Sequence, residues 1–395
     1  MAQATGIGET ITLAELDRDP YPLYARLRAE EPVSWAPAVN LWLVTRWEDV
    51  QAIGLDHATF STDLADSTLT RTLGRHMMHA DDAYHQRVRA IVEPALQPGG
   101  VRARAEAVVP QLIERLIADF REHGEVDLVE AFSEPLSVRA LQHVIGIQDV
   151  SEQLPRRWFI GLAAGGSNFE RDPGKQALGD AASREVDATL APLLDRLEHE
   201  PDGSLLSAML HSSAGSERLT RAEIGANIKL TIIGGMQEPR DVIGTALFGL
   251  LSNPEQATAL RAEPALARKA VEEAMRWISP VGTLTRETAT DVSLSGVTLP
   301  AGTRVGAVLA SANRDERHWT KPDRFDLQRR EGPHLAFGVG PHFCVGAWLA
   351  RYEARLALAT LFEQLPNLRL DPERPPTFRG WEFRGPTDLH LRWDA

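Results

Sequence analysis

Residues 337–346 read Phe-Gly-Val-Gly-Pro-His-Phe-Cys-Val-Gly, and they contain Cys344, the only cysteine of the 395-residue chain. A single cysteine cannot close an internal disulfide, which favours a reducing compartment. Apolar residues recur at helical spacing from Val345 to Ala359, so we predict a helix that begins directly after the cysteine. The unpaired N–H groups at a helix N-terminus favour an anion, and such surroundings lower the pKa of a thiol.

Glycines flank the cysteine on both sides. Gly338 and Gly340 permit a tight turn before it, and Gly346 would let a flat, bulky group approach the backbone closely. A lone cysteine is ordinarily a small, buried, apolar residue. The fixed spacing of the residues around this one favours a ligand instead.

The spacing Phe-Gly-x-Gly-x-His-x-Cys-x-Gly resembles the haem-binding signature of the cytochrome P450 superfamily. The resemblance implies that Cys344 is the axial thiolate ligand of haem b and that Phe337 shields the sulfur. It also implies that Gly338, His342 and Gly346 belong to the cofactor site. A thiolate ligand pushes electron density onto the iron and favours cleavage of an O–O bond.

The chain carries 42 basic and 55 acidic residues, which gives a formal charge of −13 at pH 7. This balance disfavours nucleic-acid binding, which requires a basic surface, but it leaves room for a local basic patch that meets an acidic redox partner. No apolar run approaches the roughly 20 residues of a membrane span, and residues 1–16 lack the basic and apolar regions of a secretory signal. We therefore predict a cytoplasmic protein of bacterial type with neither a membrane nor a nucleic-acid partner.

Helical periodicity dominates the chain. It predicts helices over most of residues 83–197, at 221–251 and at 265–278, whereas short strands are predicted within 283–310 and 378–393. No linker, repeat or low-complexity run divides the sequence, so we predict one haem domain over residues 1–395. The expected fold is mainly α with small β-sheets to one side, and its order of elements resembles the cytochrome P450 fold from end to end.

Glu273 and Arg276 lie three residues apart and share a helix face. Taken alone, such a pair is usually exposed and contributes about 0.2–0.5 kcal/mol. Its place upstream of Cys344 resembles the Glu-x-x-Arg motif of the superfamily, and Arg324 matches the third member of that ion-pair cluster. The resemblance implies a buried structural cluster that fixes the cysteine loop.

Haem carries two propionates, which need cations or hydrogen-bond donors. His85 and Arg89 lie four residues apart on a predicted helix and therefore share a face. Each alone would more often be a surface residue, but their placement resembles the propionate-binding pair of the superfamily. By the same resemblance Arg286 and His342 complete the set.

The helix predicted at 221–251 departs from the superfamily pattern in its middle. An acidic residue followed by threonine is usual there, whereas this chain has Gln237 and Glu238. Pro239 lacks an N–H and should kink the helix or widen its groove. Glu238 is either a solvated helix charge or a catalytic group. Beside a haem it could act as a general acid toward bound dioxygen if burial raises its pKa, or as a base toward hydrogen peroxide, with Gln237 positioning water.

The segment Met-Gln-Glu-Pro at 236–239 narrows the resemblance. Together with residues 93–98, 333–338 and 380–387, it is similar to the bacterial aromatic O-demethylases of the superfamily, the group that includes guaiacol O-demethylase. By this resemblance Phe383 packs against a small methoxylated arene, and Leu73 stands where that group has another phenylalanine.

Further substrate-pocket candidates follow from position. Leu230, Ile233 and Gly234 share a helix face with Glu238, and such an apolar stripe is either plain core or part of a pocket. Val281 and Gly282 lie in the loop before the predicted strand of Arg286, and we expect them to face the substrate as well.

The resemblance implies a monooxygenase that removes a methyl group from a small methoxylated aromatic as formaldehyde. It would use O2 and electrons from NAD(P)H, delivered by a separate flavin and iron–sulfur reductase or by a ferredoxin. Three alternatives stay open at this point: a peroxide-driven peroxygenase, a hydroxylase of a different biosynthetic substrate, and a non-catalytic haem protein that senses or stores a ligand.

Overall fold

The computed structural model describes residues 6–64, 66–215 and 217–395. Most of the described residues are helical. The α-helices are α1 (Leu13–Arg18), α2 (Tyr21–Glu30), α3 (Trp47–Leu55), α4 (Thr68–Leu73), α5 (Ala83–Leu96), α6 (Pro98–Phe120), α7 (Glu134–Ile145), α8 (Gln153–Gly166), α9 (Pro173–His199), α10 (Leu205–His211), α11 (Arg221–Leu251), α12 (Pro254–Ala262), α13 (Ala267–Trp277), α14 (Leu309–Ala312) and α15 (Ala347–Gln364).

The strands are short and form small sheets. They are β1 (Val33–Ala36), β2 (Leu41–Val44), β3 (Phe60–Ser61), β4 (Glu125–Asp127), β5 (Ser213–Ala214), β6 (Glu217–Arg218), β7 (Leu284–Thr288), β8 (Val292–Leu294), β9 (Val297–Leu299), β10 (Arg304–Ala307), β11 (Arg369–Leu370), β12 (Thr377–Arg379), β13 (Gly385–Asp388) and β14 (His390–Arg392). The largest sheet has the order β1-β2-β10-β7-β3, and only its β2–β10 pair is parallel.

Helix α11 is the central element. A capping box begins it, because Thr220 accepts a hydrogen bond from the N–H of Glu223 and the Glu223 carboxylate accepts one from the N–H of Thr220 at 2.8 Å. Most of its residues are buried on every side, and it packs against α7, α8, α13 and α15. Pro239 lies inside the helix, which continues through it without a break.

The apolar core divides between the helices and the sheet. One large cluster fills the space among α5–α11, α13 and α15, and a second lies under the five-stranded sheet. The cysteine loop runs between these two regions and leads into α15. An isolated bridge between Val281 and Phe383 brings the β12–β13 turn against the loop before β7. These connections surround one internal space.

The prediction of a mainly helical fold with small sheets is confirmed. The predicted helix at 221–251 has the bounds of α11, and α13 begins two residues later than its predicted start. None of the helices in the described ranges combines the length and the apolar character needed to cross a membrane.

Candidate active site

A cavity of about 360 Å³ lies between α5, α8, α11, α15, the cysteine loop and β7. Its wall is mainly apolar, with a few polar groups from several elements, which is the usual composition of a small-molecule site. The residues singled out by the sequence that line it are His85, Arg89, Leu230, Ile233, Gly234, Glu238, Val281, Arg286, Phe337, Gly338, His342, Cys344, Gly346 and Phe383.

Three predicted site residues lie outside this wall, so the structure does not place them at the cavity. Leu73 is 1% exposed and packs in the helical core. Gly282 donates a backbone hydrogen bond to Glu382 at 2.8 Å, and a side chain there would overlap the Trp381 carbonyl. Its glycine therefore serves the close packing of two chain segments. Gln237 is half-buried next to Asp241 rather than at the cavity.

The cysteine loop is held by backbone hydrogen bonds. The N–H of Cys344 donates to the Phe337 carbonyl at 2.9 Å, and α15 begins three residues later, at Ala347. Gly338 and Gly340 have φ of 67° and 74°, a left-handed conformation that favours glycine. The predicted turn and helix start are therefore both present.

The pKa of the Cys344 thiol is raised, whereas its place before a helix N-terminus predicted a lowered pKa. Cys344 borders the cavity but lies deep in the protein, and burial raises its pKa to about 11. The hydrogen bond from the Gly346 N–H lowers the pKa and the nearby carboxylate of Glu238 raises it, but burial outweighs both. The helix N-terminus alone thus does not ionise this thiol. A metal that binds the sulfur must displace its proton.

Glu273 and Arg276 form a buried, two-fold ion pair, with Nε–Oε2 and Nη2–Oε1 distances of 2.8 Å. The third side chain is Arg329, whose Nε lies 3.0 Å from both oxygens of Glu273. The prediction of Arg324 for this role is wrong: its side chain is exposed, and it contributes only its carbonyl, which accepts from Arg276 at 2.9 Å.

This cluster is connected to the cysteine loop by short steps. Arg276 donates to the carbonyl of Asn313 at 2.9 Å, and the amide oxygen of Asn313 accepts from the N–H of Leu335 at 2.7 Å. Leu335 in turn accepts from the N–H of Gly338 at 2.8 Å. The ion pair therefore anchors the segment that enters the turn.

A second ion pair supports the shielding aromatic residue. Arg351 on α15 donates to Glu272 at 2.6 and 2.9 Å. The same guanidinium lies over the ring of Phe337, 4.2 Å from its centroid. The position of Phe337 beside the cysteine is thus fixed by α13 and α15 together.

The predicted anion-binding residues form two groups at the cavity. The rings of His85 and His342 lie 4.3 Å apart, and Nε2 of His342 is 2.8 Å from Asp81. Burial, followed by the neighbouring His342 and Arg89, lowers the pKa of His85 to about 4. Asp81 also accepts from Ser61 and Thr62, and despite burial the hydrogen bonds with His342, Ser61 and Thr62 keep the pKa of Asp81 below its usual range.

Arg286 is 6% exposed, and its only side-chain hydrogen bond among the described residues goes to the Thr285 carbonyl at 2.8 Å. Burial lowers the pKa of this guanidinium to about 10. Arg89 donates to Glu93 at 2.8 Å and to the Phe343 carbonyl at 2.8 Å. A buried cation without a carboxylate partner favours an anionic ligand, because such a ligand offsets its desolvation.

These observations test whether the residues fit haem b. The sulfur of Cys344 borders the cavity, and the incompletely paired cation of Arg286 lies at its wall. A Cβ placed on Gly234 would meet no atom within 4 Å, so the central helix leaves open space there. A soft metal ligand, an anion-binding group and room for a flat molecule are all present, and the site therefore fits haem b.

Glu238 lies on the same cavity wall, and its Oε2 is buried without a hydrogen-bond partner. Burial, with a smaller contribution from Asp241, raises the pKa of Glu238 to about 8. Asp241 is 1% exposed, and burial raises its pKa to about 6 although Arg240 donates to it at 2.8 Å. Arg240 also donates to the partly exposed Glu134 at 3.1 Å. Charged groups thus continue from the neighbourhood of Glu238 toward the surface.

Other polar residues at the cavity did not emerge from the sequence. Glu353 on α15 and Glu382 after β12 both line the wall, and Ser167 and His79 lie there as well. Burial raises the pKa of Glu353 well above its usual range. Glu353 follows the cavity residue Gly346 by seven residues, or two helical turns, so helical spacing from Gly346 could have indicated it. Glu382 lies in a loop, where no periodic pattern marks it.

The comparisons with known proteins agree with this geometry. The model of the cytochrome P450 family matches residues 180–380. Cytochrome P450 107B1 of Saccharopolyspora erythraea is 36% identical over 387 residues, which cover 93% of this chain and 92% of that protein. Cytochrome P450 monooxygenase PikC of Streptomyces venezuelae is 34% identical, over 95% of this chain and 91% of its own.

Solved structures agree as well. The crystal structure of P450BioI in complex with hexadec-9Z-enoic acid ligated acyl carrier protein superposes with a TM-score of 0.88 at 27% identity. The superposition covers 95% of this chain and 99% of that one. The chain therefore belongs to the cytochrome P450 family of haem-thiolate monooxygenases, which use haem b, O2 and electrons from separate redox partners.

Proposed function

We propose that this monooxygenase catalyses the oxidative O-demethylation of a small methoxylated aromatic. The observation that carries the proposal is Glu238, a carboxyl at the cavity wall with a raised pKa and an unpartnered oxygen. It belongs to the Gln-Glu-Pro segment by which the sequence resembles aromatic O-demethylases. The cavity that it borders is mainly apolar and includes Phe383, which suits an aromatic ring.

Several residues would hold the cofactor. Cys344 would ligate the iron, while Arg286, Arg89 and His342 would bind the propionates through charge-assisted hydrogen bonds. Haem b, when bound there, supplies the activation of O2 and the oxidation of the methoxy carbon. Phe337, fixed by Arg351, would limit the access of water to the sulfur.

The chain's own task is the supply of protons. Oxidation of the methoxy group consumes O2, two electrons and two protons, and gives a hemiacetal and water. The hemiacetal then collapses to a phenol and formaldehyde. A carboxyl with a pKa of about 8 is largely protonated at neutral pH and can donate a proton toward the cavity that it lines. Asp241, Arg240 and Glu134 place charged, hydrogen-bonded groups between the neighbourhood of Glu238 and the surface.

The remaining expectations are part of the same proposal. Electrons would come from NAD(P)H through a flavin and iron–sulfur reductase or a ferredoxin. One haem domain over residues 1–395 and a cytoplasmic location stay predictions from the sequence.

One further candidate function has specific support. The carboxylate form of Glu238 could take a proton from hydrogen peroxide, which would allow a peroxide-driven reaction without an electron-transfer partner. A hydroxylase of a different biosynthetic substrate is the other alternative, and a non-catalytic ligand sensor is the third. A peroxide-driven enzyme and a hydroxylase could accept the same substrates, so these two functions must be separated by analysis of their products.

The decisive experiment is a ligand panel with the holoenzyme. Guaiacol, syringol and methoxybenzoates are titrated, and the blue shift of the Soret band on loss of iron-bound water is recorded. Ligands that shift the band are then tested for formaldehyde and phenol formed per NAD(P)H consumed with a reductase. We expect at least one methoxylated aromatic to shift the band and to yield equal amounts of both products. Binding of the panel without formaldehyde would contradict the proposal.

The assignment of Cys344 has its own test. Cys344→Ser should abolish the red-shifted Soret band that the reduced, carbon monoxide-bound protein shows when a thiolate ligates the iron, because no other cysteine can replace it. The spectrum of the reduced protein with carbon monoxide is the measurement. Retention of the thiolate-type band by the variant would overturn the assignment.

A further inference from the structure

Glu382 lies in the turn between β12 and β13 and contributes to the cavity wall. Its neighbour Phe383 pairs with Val281, and Phe383, Val281 and Leu69 supply apolar surface to the same wall. A carboxyl is thus placed in a predominantly apolar substrate cavity. It has no part in the proton supply derived above.

The carboxyl of Glu382 is incompletely paired. Oε2 accepts a hydrogen bond from the hydroxyl of Ser167 at 3.0 Å, and no other side-chain hydrogen bond or ion pair of Glu382 occurs among the described residues. Oε1 keeps accessible surface and has no hydrogen-bond partner among the described residues, on a side chain that lines the cavity. Burial raises the pKa of this carboxyl to about 7, although the hydrogen bond of Ser167 lowers it.

The arginines at the cavity wall have other partners. Arg171 pairs with Asp66, and Arg304 lies 3.6 Å from Glu287. The remaining cations, Arg89 and Arg286, belong to the anion-binding group described above. The protein therefore supplies Glu382 with one neutral donor and no cation in the described ranges. A partly buried carboxyl with a single neutral donor gains most from a further donor on the ligand.

We propose that Glu382, oriented by Ser167, determines substrate specificity by accepting a hydrogen bond from a donor group of the substrate, a phenolic hydroxyl or an ammonium. The inference rests on the proposed function and narrows it. Among methoxylated aromatics, the enzyme would prefer methoxyphenols or methoxylated aromatic amines to methoxybenzoates. The carboxylate of a benzoate would meet a like charge or an acceptor at Glu382.

Equilibrium binding to the holoenzyme tests this, with a matched set of ligands that differ at one substituent. The set is 4-methoxyphenol, 4-methoxybenzylamine, 4-methylanisole and 4-methoxybenzoate, and Kd is obtained from the Soret shift. We expect the phenol or the amine to bind about 10-fold or more tightly than 4-methylanisole. The better of the two identifies the donor. The benzoate should bind most weakly.

Two variants assign the preference to the carboxyl. Glu382→Leu removes both acceptor oxygens at similar size, and it should reduce the difference between the donor ligand and 4-methylanisole to about 2-fold or less. Glu382→Gln keeps size and one acceptor oxygen, and it should weaken the penalty against the benzoate. If the leucine variant does not fold, the glutamine variant decides alone, because the benzoate penalty depends on the negative charge.

The outcomes separate this inference from the proposed function. A wild-type enzyme that binds neither donor ligand, or that binds them no better than 4-methylanisole, would overturn it. So would a preference that both variants retain. Donor-dependent binding without formaldehyde release would refute O-demethylation and leave the role of Glu382 intact. Formaldehyde release with a preference unchanged in the variants would refute only the role of Glu382.

Discussion

Glu273→Ala is expected to lower the free energy of unfolding by about 3–5 kcal/mol and to leave little haem-loaded protein. Glu273 is 4% exposed and receives four hydrogen bonds from the guanidinium groups of Arg276 and Arg329. Its removal leaves the buried cation of Arg276 without a carboxylate and leaves Arg329 with Glu331 alone, at 3.2 Å. Denaturant unfolding of the purified protein and haem content per chain are the two measurements.

Loss of haem should accompany loss of stability because of the connections to the cysteine loop. Arg276 holds Asn313, and Asn313 holds Leu335, which begins the turn before Cys344. An unpaired Arg276 would be driven toward water and would release these contacts. The thiol would then lose the fixed position from which it can ligate a metal.

Because Arg329, and not Arg324, is the third side chain of the ion-pair cluster around Glu273, these two arginines provide matched variants. Arg329→Ala should be severely destabilising, whereas Arg324→Ala should change stability by less than about 0.5 kcal/mol because only its main-chain carbonyl participates. Glu106→Ala, which removes an exposed pair with Arg102, should also have little effect. A stable, fully haem-loaded Glu273→Ala protein would show that the cluster does not fix the loop.

The contrast between Arg324 and Arg329 illustrates what spacing can predict. Glu273 and Arg276 lie on one regular helix, so their separation determined that they share a face. The two arginines lie five residues apart in an irregular segment, where no period relates sequence position to side-chain direction. The family resemblance indicated the right segment. Within it, Arg324 contributes its main-chain carbonyl and Arg329 contributes its guanidinium.

At the candidate active site, too, features of regular helices and glycine turns could be predicted from the sequence, whereas features that depend on distant elements could not. The bounds of α11 and the turn before Cys344 followed from helical spacing and glycines. The pKa of the thiol did not, because burial depends on elements distant in sequence and here outweighs the helix N-terminus. Glu382 was missed for a similar reason, since its place at the cavity depends on the pairing of Phe383 with Val281.

Glu238→Gln should reduce turnover by about 10²–10⁴-fold, the usual contribution of a general acid or base. Glutamine keeps the size and shape of the side chain but cannot donate or take up a proton. Without timely proton delivery, electrons from NAD(P)H should be lost to reduced oxygen species, so formaldehyde per NAD(P)H should also fall. Substrate should still shift the Soret band, because Glu238 is not required for binding.

The pH dependence distinguishes the two oxidants. With a pKa of about 8, Glu238 is the acid form below that pH and the carboxylate above it. The reductase-driven reaction, which needs the acid, should therefore fall as pH rises through about 8, whereas a peroxide-driven reaction should rise over the same interval. Neither the fall of the reductase-driven rate nor the rise of the peroxide-driven rate near pH 8 should occur in Glu238→Gln. Glu106→Gln, the same change at an exposed residue of α6, should retain them.

Stability separates a catalytic from a structural role. The pKa of Glu238 in the folded protein lies above its ordinary value of 4.5, so the folded state binds the proton more tightly than the unfolded chain does. The carboxyl therefore contributes a cost that grows as pH rises from about 4.5 to 8. Glu238→Gln should consequently be at least as stable as the wild type above pH 8, while its turnover is lost. Turnover, coupling and pH profiles equal to those of the wild type would remove Glu238 from proton delivery, and they would leave the Gln-Glu-Pro segment with only a role in shaping α11.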